Sequence, residues 1–404
     1  MLHRPVARAA LQCLYETFVD GSYADKAIER QFKASRKLGG RDRRFVAETV
    51  YEMTRWWRLL WRCLGEEPEG LTEAALWRLL GAHLLLRGRE LPDWPEFAGL
   101  AAEKPKILDR RERSKNVRAI RHSIPDWMDE QGAAELGERW DEAMIALNKQ
   151  APVVLRANSL KATTKEVIAK LKEEEIEAKP APGLPDALLL TGRKNIFRSL
   201  AFKHGMFEVQ DGASQRVAPM VAPQPGERVI DACAGAGGKS LHLAALMGNK
   251  GKILAFDIHQ RKLDELKRRA ARAGADTIEA RLIEAKTIKR MAKSADRVLL
   301  DVPCSGLGVL RRNPDAKWKL QPEELARLRA LQAEILSSYS EMTKVGGRLV
   351  YATCSFLPSE NEKQVEAFLA ARPGEWKLLE EMRNFPGEGG FDGFYAAVME
   401  RVRS

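Results

Sequence analysis

The chain has 404 residues, 45% of them hydrophobic and 30% charged, with a net charge of +11. That length suggests two or three domains, and the composition excludes a disordered or fibrous chain. No apolar run approaches the roughly 20 residues of a membrane helix, since the longest, 79–86, is broken by Gly81 and His83. The first residues lack the apolar stretch of a secretory signal, so a cytoplasmic protein with no membrane partner is expected. The cysteines at 13, 63, 233, 304 and 354 are odd in number and lack metal-ligand spacing. That predicts free thiols in a reducing compartment and no metal site. The basic balance suits a polyanionic partner.

Residues 1–122 read as an all-helical domain. Apolar residues recur at helical spacing in Val6, Ala7, Ala10, Leu11 and Leu14, and again in Phe45, Val46, Val50 and Met53. Five of the nine tryptophans (Trp56, Trp57, Trp61, Trp77 and Trp94) fall here and are expected to fill its core. From Lys104 to Arg121 the chain carries eight basic residues against Asp109 and Glu112. This stretch is either a solvated linker or a phosphate-tracking surface.

Residues 123–204 form a small α+β module. Pro125 opens a helix, 153–156 and 188–190 read as strands, and Thr163 with Glu166 has capping-box spacing. From 205 to 404 strands and helices alternate, which predicts an open α/β sheet covered on both faces. Its strands end at Asp231, Asp257, Asp301 and Cys354, and ligands of such sheets bind beyond the carboxyl ends of the strands.

The turn after the first of these strands is Asp231-Ala232-Cys233-Ala234-Gly235-Ala236-Gly237-Gly238-Lys239. Glycines let backbone approach a ligand, although such a turn alone is also compatible with a simple tight bend. Asp257 ends the next strand, where a carboxylate commonly accepts from a ribose. A P-loop ending at Gly238-Lys239-Ser240 would need glycine where Cys233 stands, and the G-x-G-x-x-G spacing is absent. A nucleoside ligand without pyrophosphate remains, with S-adenosylmethionine the candidate.

Cys304 in Asp301-Val302-Pro303-Cys304-Ser305-Gly306 and Cys354 in Tyr351-Ala352-Thr353-Cys354-Ser355 sit in two further strand-end loops. Each cysteine alone could be a small buried hydrophobe; two at one sheet edge point to chemistry. With the glycine turn and Arg311-Arg312-Asn313-Pro314-Asp315, these motifs resemble those of the Nop/Sun type RNA cytosine-carbon-5 methyltransferases. Gln210-Asp211-Gly212-Ala213-Ser214 resembles the entry to their catalytic domain. The domain order is similar to that of family members acting on small-subunit rRNA. The fold implied is an α/β Rossmann-like class I methyltransferase domain, preceded by a small RRM-like module and an all-α NusB-like domain.

The resemblance implies S-adenosylmethionine bound by residues 233–239, Asp257, Glu284 and Asp301, and RNA, specifically rRNA, as partner. It makes Cys354 the nucleophile at cytosine carbon 6, Cys304 the residue assisting product release, and Asp301 a group meeting ring nitrogen 3. Where many members have a proline in the glycine turn this chain has Ala236, and Glu284 stands where an aspartate usually meets the adenine. Arg311, Arg312, Lys317, Trp318 and Lys319 are expected to hold phosphate and stack a base. No DNA partner is expected, and no coiled-coil repeat argues against a monomer. The alternatives are a non-catalytic RNA-binding or ribosome-assembly factor, a tRNA cytosine methyltransferase, or a protein-glutamine methyltransferase. The last generally relies on an Asn-Pro-Pro-Tyr type loop where this chain has Asp301-Val302-Pro303-Cys304.

Overall fold

Helical spacing of apolar residues in the first third of the chain gives helices in the computed structural model, which describes residues 2–35, 37–66, 70–192 and 194–403. The chain divides into two compact units, Met1–Lys149 with Leu310–Pro322, and Gln150–Val309 with Glu323–Ser404.

The first unit holds α1 (Arg4–Phe18), α2 (Ala24–Ala34), α3 (Gly40–Arg55), α4 (Trp57–Leu64) and α5 (Glu73–Leu86). It continues with α6 (Lys104–Ser114), α7 (Arg118–Arg121), α8 (Asp126–Leu136) and α9 (Arg139–Leu147). Pro5 lies in the first turn of α1, where a missing N–H costs nothing. Thr72 caps α5 by accepting from the Ala75 N–H at 3.1 Å. Leu14, Val46, Val50, Met53, Leu79 and Leu80 form the core, with Trp61 and Trp77 buried and Trp56, Trp57 and Trp94 packed against it. Gly81 is a packing requirement, since a side-chain carbon there would fall 2.2 Å from Leu100 Cδ2. The basic stretch is helical rather than an irregular linker. α6 buries Ile107 and Ser114 and leaves Lys104, Lys106, Arg111 and Arg113 exposed.

The second unit opens with β1 (Val154–Ala157), α10 (Thr164–Glu173), β2 (Ala178–Pro180), β3 (Ala187–Leu190), α11 (Leu200–Lys203) and β4 (Phe207–Val209). The strands form an antiparallel sheet in the order β2-β3-β1-β4. The capping box at α10 is present, with Glu166 Oε2 accepting from the Thr163 N–H at 2.7 Å. Leu155, Leu188 and Phe207 pack against Val167 and Leu171.

There follow α12 (Gly212–Val221), β5 (Arg228–Asp231), α13 (Gly238–Leu246), β6 (Lys252–Asp257), α14 (Gln260–Ala273), β7 (Ile278–Leu282), α15 (Ala285–Arg290) and β8 (Ala295–Asp301). A short α16 (Ala316–Lys319) belongs to the first unit, and the second resumes with α17 (Pro322–Tyr339), β9 (Thr343–Thr353), α18 (Glu362–Ala370), β10 (Trp376–Asn384) and β11 (Phe394–Arg401). The seven strands run in the order β10-β11-β9-β8-β5-β6-β7. β5 to β9 are parallel, and β10 and β11 add antiparallel at one edge. This is the class I methyltransferase architecture with a small α+β module before it. The chain winds outward in both directions from β5 and β8, so the ends of those strands bound the crevice where such sheets bind ligands. Core residues lie on both faces, around Val217, Leu243 and Leu266 on one and Ile335, Leu336 and Phe368 on the other.

Glu208 on β4 is 3% exposed and pairs with Arg269, at 2.9 Å, and Arg272 of α14. Removing one partner of a buried ion cluster strands the others. Glu208→Ala is therefore expected to cost roughly 3 kcal/mol, read as a lower urea midpoint than wild type.

Candidate active site

The loop after β5 bends because Gly235 and Gly237 take φ of +55° and +85°, a region open to glycine at little cost. At Gly237 a side-chain carbon would sit 2.6 Å from Leu266 Cγ, whereas at Gly235 and Gly238 it would meet nothing within 4 Å. The turn thus packs on one side and faces open space on the other. Asp257 supports it, with Oδ2 accepting from the Gly235 N–H at 3.0 Å and Oδ1 from the His259 N–H at 2.8 Å. Carboxylate lone pairs remain for ribose hydroxyls. These residues fit a nucleoside cofactor lying against residues 233–238.

Beneath the turn, Asp231 Oδ2 accepts from Ser240 Oγ at 2.7 Å, while Oδ1 is buried with no hydrogen-bond partner among the described residues. Burial pushes this carboxyl up to about 7, with the Ser240 hydrogen bond opposing. Burial also raises the Cys233 thiol well above its usual range, which makes it an inert wall of the turn. Lys239, at the start of α13, reaches Asp301 Oδ2 at 2.6 Å and lies 5.0 Å from the Phe394 ring centroid. The carboxylate at the end of β8 thus carries its own proton-bearing neighbour.

The two cysteine loops meet because β8 and β9 are parallel neighbours in a register that sets Asp301 opposite Ala352. Three residues beyond Asp301 and two beyond Ala352, Cys304 Sγ and Cys354 Sγ are 3.3 Å apart. Both thiols are partly exposed. The Cys354 carbonyl accepts from the Gly308 N–H at 3.0 Å. Contact with the Cys354 sulfur, then burial and the nearby Glu360, raise the Cys304 thiol well above its usual range, so Cys304 holds its proton.

Sequence reasoning missed what fixes these loops. Glu360, fully buried, accepts from the Ser305 N–H at 2.8 Å, from Ser305 Oγ, and from Gln332 Nε2 at 3.0 Å. Gln332 also donates to the Pro303 carbonyl at 2.9 Å. Thr353 Oγ1 donates to Asn361 Oδ1 at 2.6 Å, and Asn361 Nδ2 donates to the Ser355 carbonyl at 3.2 Å. Adjacent residues Glu360 and Asn361 therefore clamp one loop each. Their sequence signal was a carboxylate and an amide just after the second cysteine loop. Arg156 of β1, 1% exposed, donates to the Gly238 carbonyl at 2.8 Å and braces the start of α13. Nothing in its sequence context distinguishes it.

Glu284 lies beyond β7, exposed and paired with Lys286 at 2.7 Å, which lowers its carboxyl. The expectation for Lys317, Trp318 and Lys319 needs correcting. Lys317, 2% exposed, donates to the Arg55 carbonyl at 2.7 Å, and burial pushes its ammonium well below the usual range. The Trp318 indole donates to the Thr54 carbonyl at 2.7 Å, and Lys319 to the Gly21 and Ser22 carbonyls at 2.8 Å. Arg311 is buried, and its carbonyl accepts from Arg55 at 3.0 Å. These side chains fasten residues 310–322 within the helical unit rather than presenting a free phosphate-binding face.

A probable ribosomal RNA small subunit methyltransferase B of Synechocystis is 34% identical, the match covering 94% of this chain and 96% of that one. The chain belongs to the 16S rRNA methyltransferase RsmB/F family. The family's own model matches residues 218–400, and an RsmF/B-like ferredoxin-like domain matches 124–196. A probable methyltransferase B of Bacillus subtilis is 34% identical, covering 70% of this chain and 67% of its own. The crystal structure of PH0851 aligns over 99% of both chains with a TM-score of 0.84 and 26% identity. The structure of NSun6 from Pyrococcus horikoshii with SFG shares the fold, with a TM-score of 0.64 and 20% identity over 70% of this chain and 100% of that one. This RsmB/F member is an RNA methyltransferase.

Asp231 supplies a pH test. The native state keeps a proton that an unfolded aspartate loses near pH 4, so this group makes stability fall as pH rises from about 4 to 7. Asp231→Asn is expected to flatten that slope in urea titrations across this window.

Proposed function

We propose that this RsmB/F protein methylates carbon 5 of a cytosine in small-subunit rRNA, in the cytoplasm, with Cys354 as covalent nucleophile and S-adenosylmethionine as methyl donor. The observation that supports this most is the 3.3 Å contact between the thiols of Cys304 and Cys354 beside the Asp301–Lys239 pair. S-adenosylmethionine, when bound, supplies an electrophilic methyl group against residues 233–239, Asp257 and Asp301.

Carbon 5 of cytosine is a poor nucleophile while the ring stays aromatic. Cys354 Sγ adds to carbon 6, forming a C–S bond and shifting electron density toward carbon 5 and ring nitrogen 3, so one hard step becomes two easier ones. Lys239 Nζ carries a proton beside Asp301, and the pair can share it with nitrogen 3 as charge builds there. As the C–S bond breaks, Cys304 donates its S–H proton to the departing Cys354 sulfur, 3.3 Å away, and the carbon 5 proton passes to the Cys304 sulfur, so both thiols are restored. Two intact thiols in contact favour catalysis over a scaffold role, since a scaffold needs neither.

Cys354→Ala is expected to lose turnover by at least ~10³-fold. Cys304→Ala is expected to accumulate a protein–RNA adduct that survives denaturing gels. Adduct from Cys354→Ala instead would reverse the two roles. Bisulfite sequencing of total RNA from cells with and without the gene should show one small-subunit rRNA cytosine losing protection; loss in a tRNA would move the substrate there.

A further inference from the structure

Within the helical unit, α4 to α7 and the residue joining α3 to α4 surround a cavity of about 420 Å³, inside the roughly 300–1,000 Å³ range of small-ligand sites. One wall is apolar, formed by Trp56, Leu59 and Leu86, and the mouth carries Arg111, Lys115 and Arg121. Trp56 is partly exposed and sits where α3 ends and α4 starts, its backbone outside helical geometry at φ −105°, ψ 20°. Its indole packs against the helical core and also lines the cavity.

His83 also lines the cavity. Burial, then Arg87 and Arg89, push its imidazole down to about 3. A ring that is neutral at physiological pH presents one donor and one acceptor, and here neither nitrogen has a hydrogen-bond partner among the described residues. Of the cations at the mouth, Lys115 pairs with Glu112 at 2.6 Å and Arg121 with Asp141. Arg111 reaches no carboxylate among the described residues; its guanidinium touches only the Leu86 carbonyl, at 3.4 Å. The cavity thus combines a stacking surface, an unused neutral hydrogen-bonding edge and a guanidinium without a counter-ion. Those are the three things that a flipped-out base, its edge and its phosphate require.

We infer that this cavity binds one unstacked nucleotide of the RNA substrate, with the base on Trp56, its edge or ribose at His83, and the phosphate on Arg111. The inference rests on the RNA reading above and adds a second contact, in a different unit from the thiols. The exposed Lys104, Lys106 and Arg113 of α6 continue the positive surface along which flanking phosphates would run.

The test uses the full chain. Small-subunit rRNA carrying 4-thiouridine is crosslinked and the modified peptides are mapped, and methylation kinetics are measured for Trp56→Ala and for Arg111→Glu, an exposed position where folding is not at issue. Crosslinks are expected in the peptides containing Trp56 or His83. Both variants should raise the KM for RNA by roughly five- to a hundredfold, with the effect on KM rather than on turnover at saturating RNA. RNA that crosslinks elsewhere, with KM unchanged in Arg111→Glu, overturns the pocket. Tight binding of free cytidine monophosphate with an unchanged RNA KM overturns it in favour of a metabolite site. Pocket crosslinks in a chain that methylates no cytosine would uphold the pocket and sink the proposed reaction, whereas methylation without pocket crosslinks does the reverse.

Discussion

The parallel register of β8 and β9 is the constraint on which the site depends. With Asp301 opposite Ala352, each loop leaves the sheet at the same level, and the two sulfurs come into contact. A one-residue slip would turn the strands' buried side chains to the wrong face. That register is secured by burial on both sides, through Leu299, Leu300, Val350 and Tyr351. The hydrophobic cores of the sheet therefore fix the geometry of the thiols, and the loops themselves need supply only short, local corrections.

Those corrections are polar and buried. Glu360 gathers three donors from Ser305 and Gln332, while its own carbonyl accepts from the Tyr351 hydroxyl at 2.6 Å. A buried carboxylate without a cation is tolerated when several hydrogen bonds satisfy it. Its negative charge lies near Cys304 and helps keep that thiol protonated. Glu360 thus ties the loop of Cys304 from one side, while Asn361 ties that of Cys354. On the cofactor side, Asp231 is buried with one oxygen unpaired, whereas Asp301 has Lys239.

The sheet and the placement of the candidate residues were legible in the sequence, because apolar runs lead into Asp231, Asp257, Asp301 and Cys354 and bring those residues to the strand ends. The glycine turn and the cysteine loops carry side chains that few structural roles require together. What escaped was of two kinds. β10 is a charged edge strand, WKLLEEMRN, whose pattern does not alternate cleanly, and β11 is almost wholly buried, so neither shows the period-two signal of a half-exposed strand. The clamps Glu360, Asn361 and Arg156 act through partners distant in sequence, which no local pattern encodes. Lys317, Trp318 and Lys319 show the opposite failure. A basic run with an aromatic reads as an RNA surface, yet backbone carbonyls of α3 and of the turn after α1 satisfy all three polar groups. Composition cannot tell a solvated cation from one capped by carbonyls.

The identity of the sulfur that bonds the base is the claim most directly open to measurement. RNA containing 5-fluorocytidine offers no carbon 5 proton to remove, so attack and methyl transfer should halt at the covalent stage on the wild-type enzyme. After nuclease and protease digestion, tandem mass spectrometry should find the methylated fluorocytidine nucleotide on Cys354 and leave Cys304 unmodified. The same mass on Cys304, or no nucleotide on either cysteine while unsubstituted RNA is still methylated, would contradict the account.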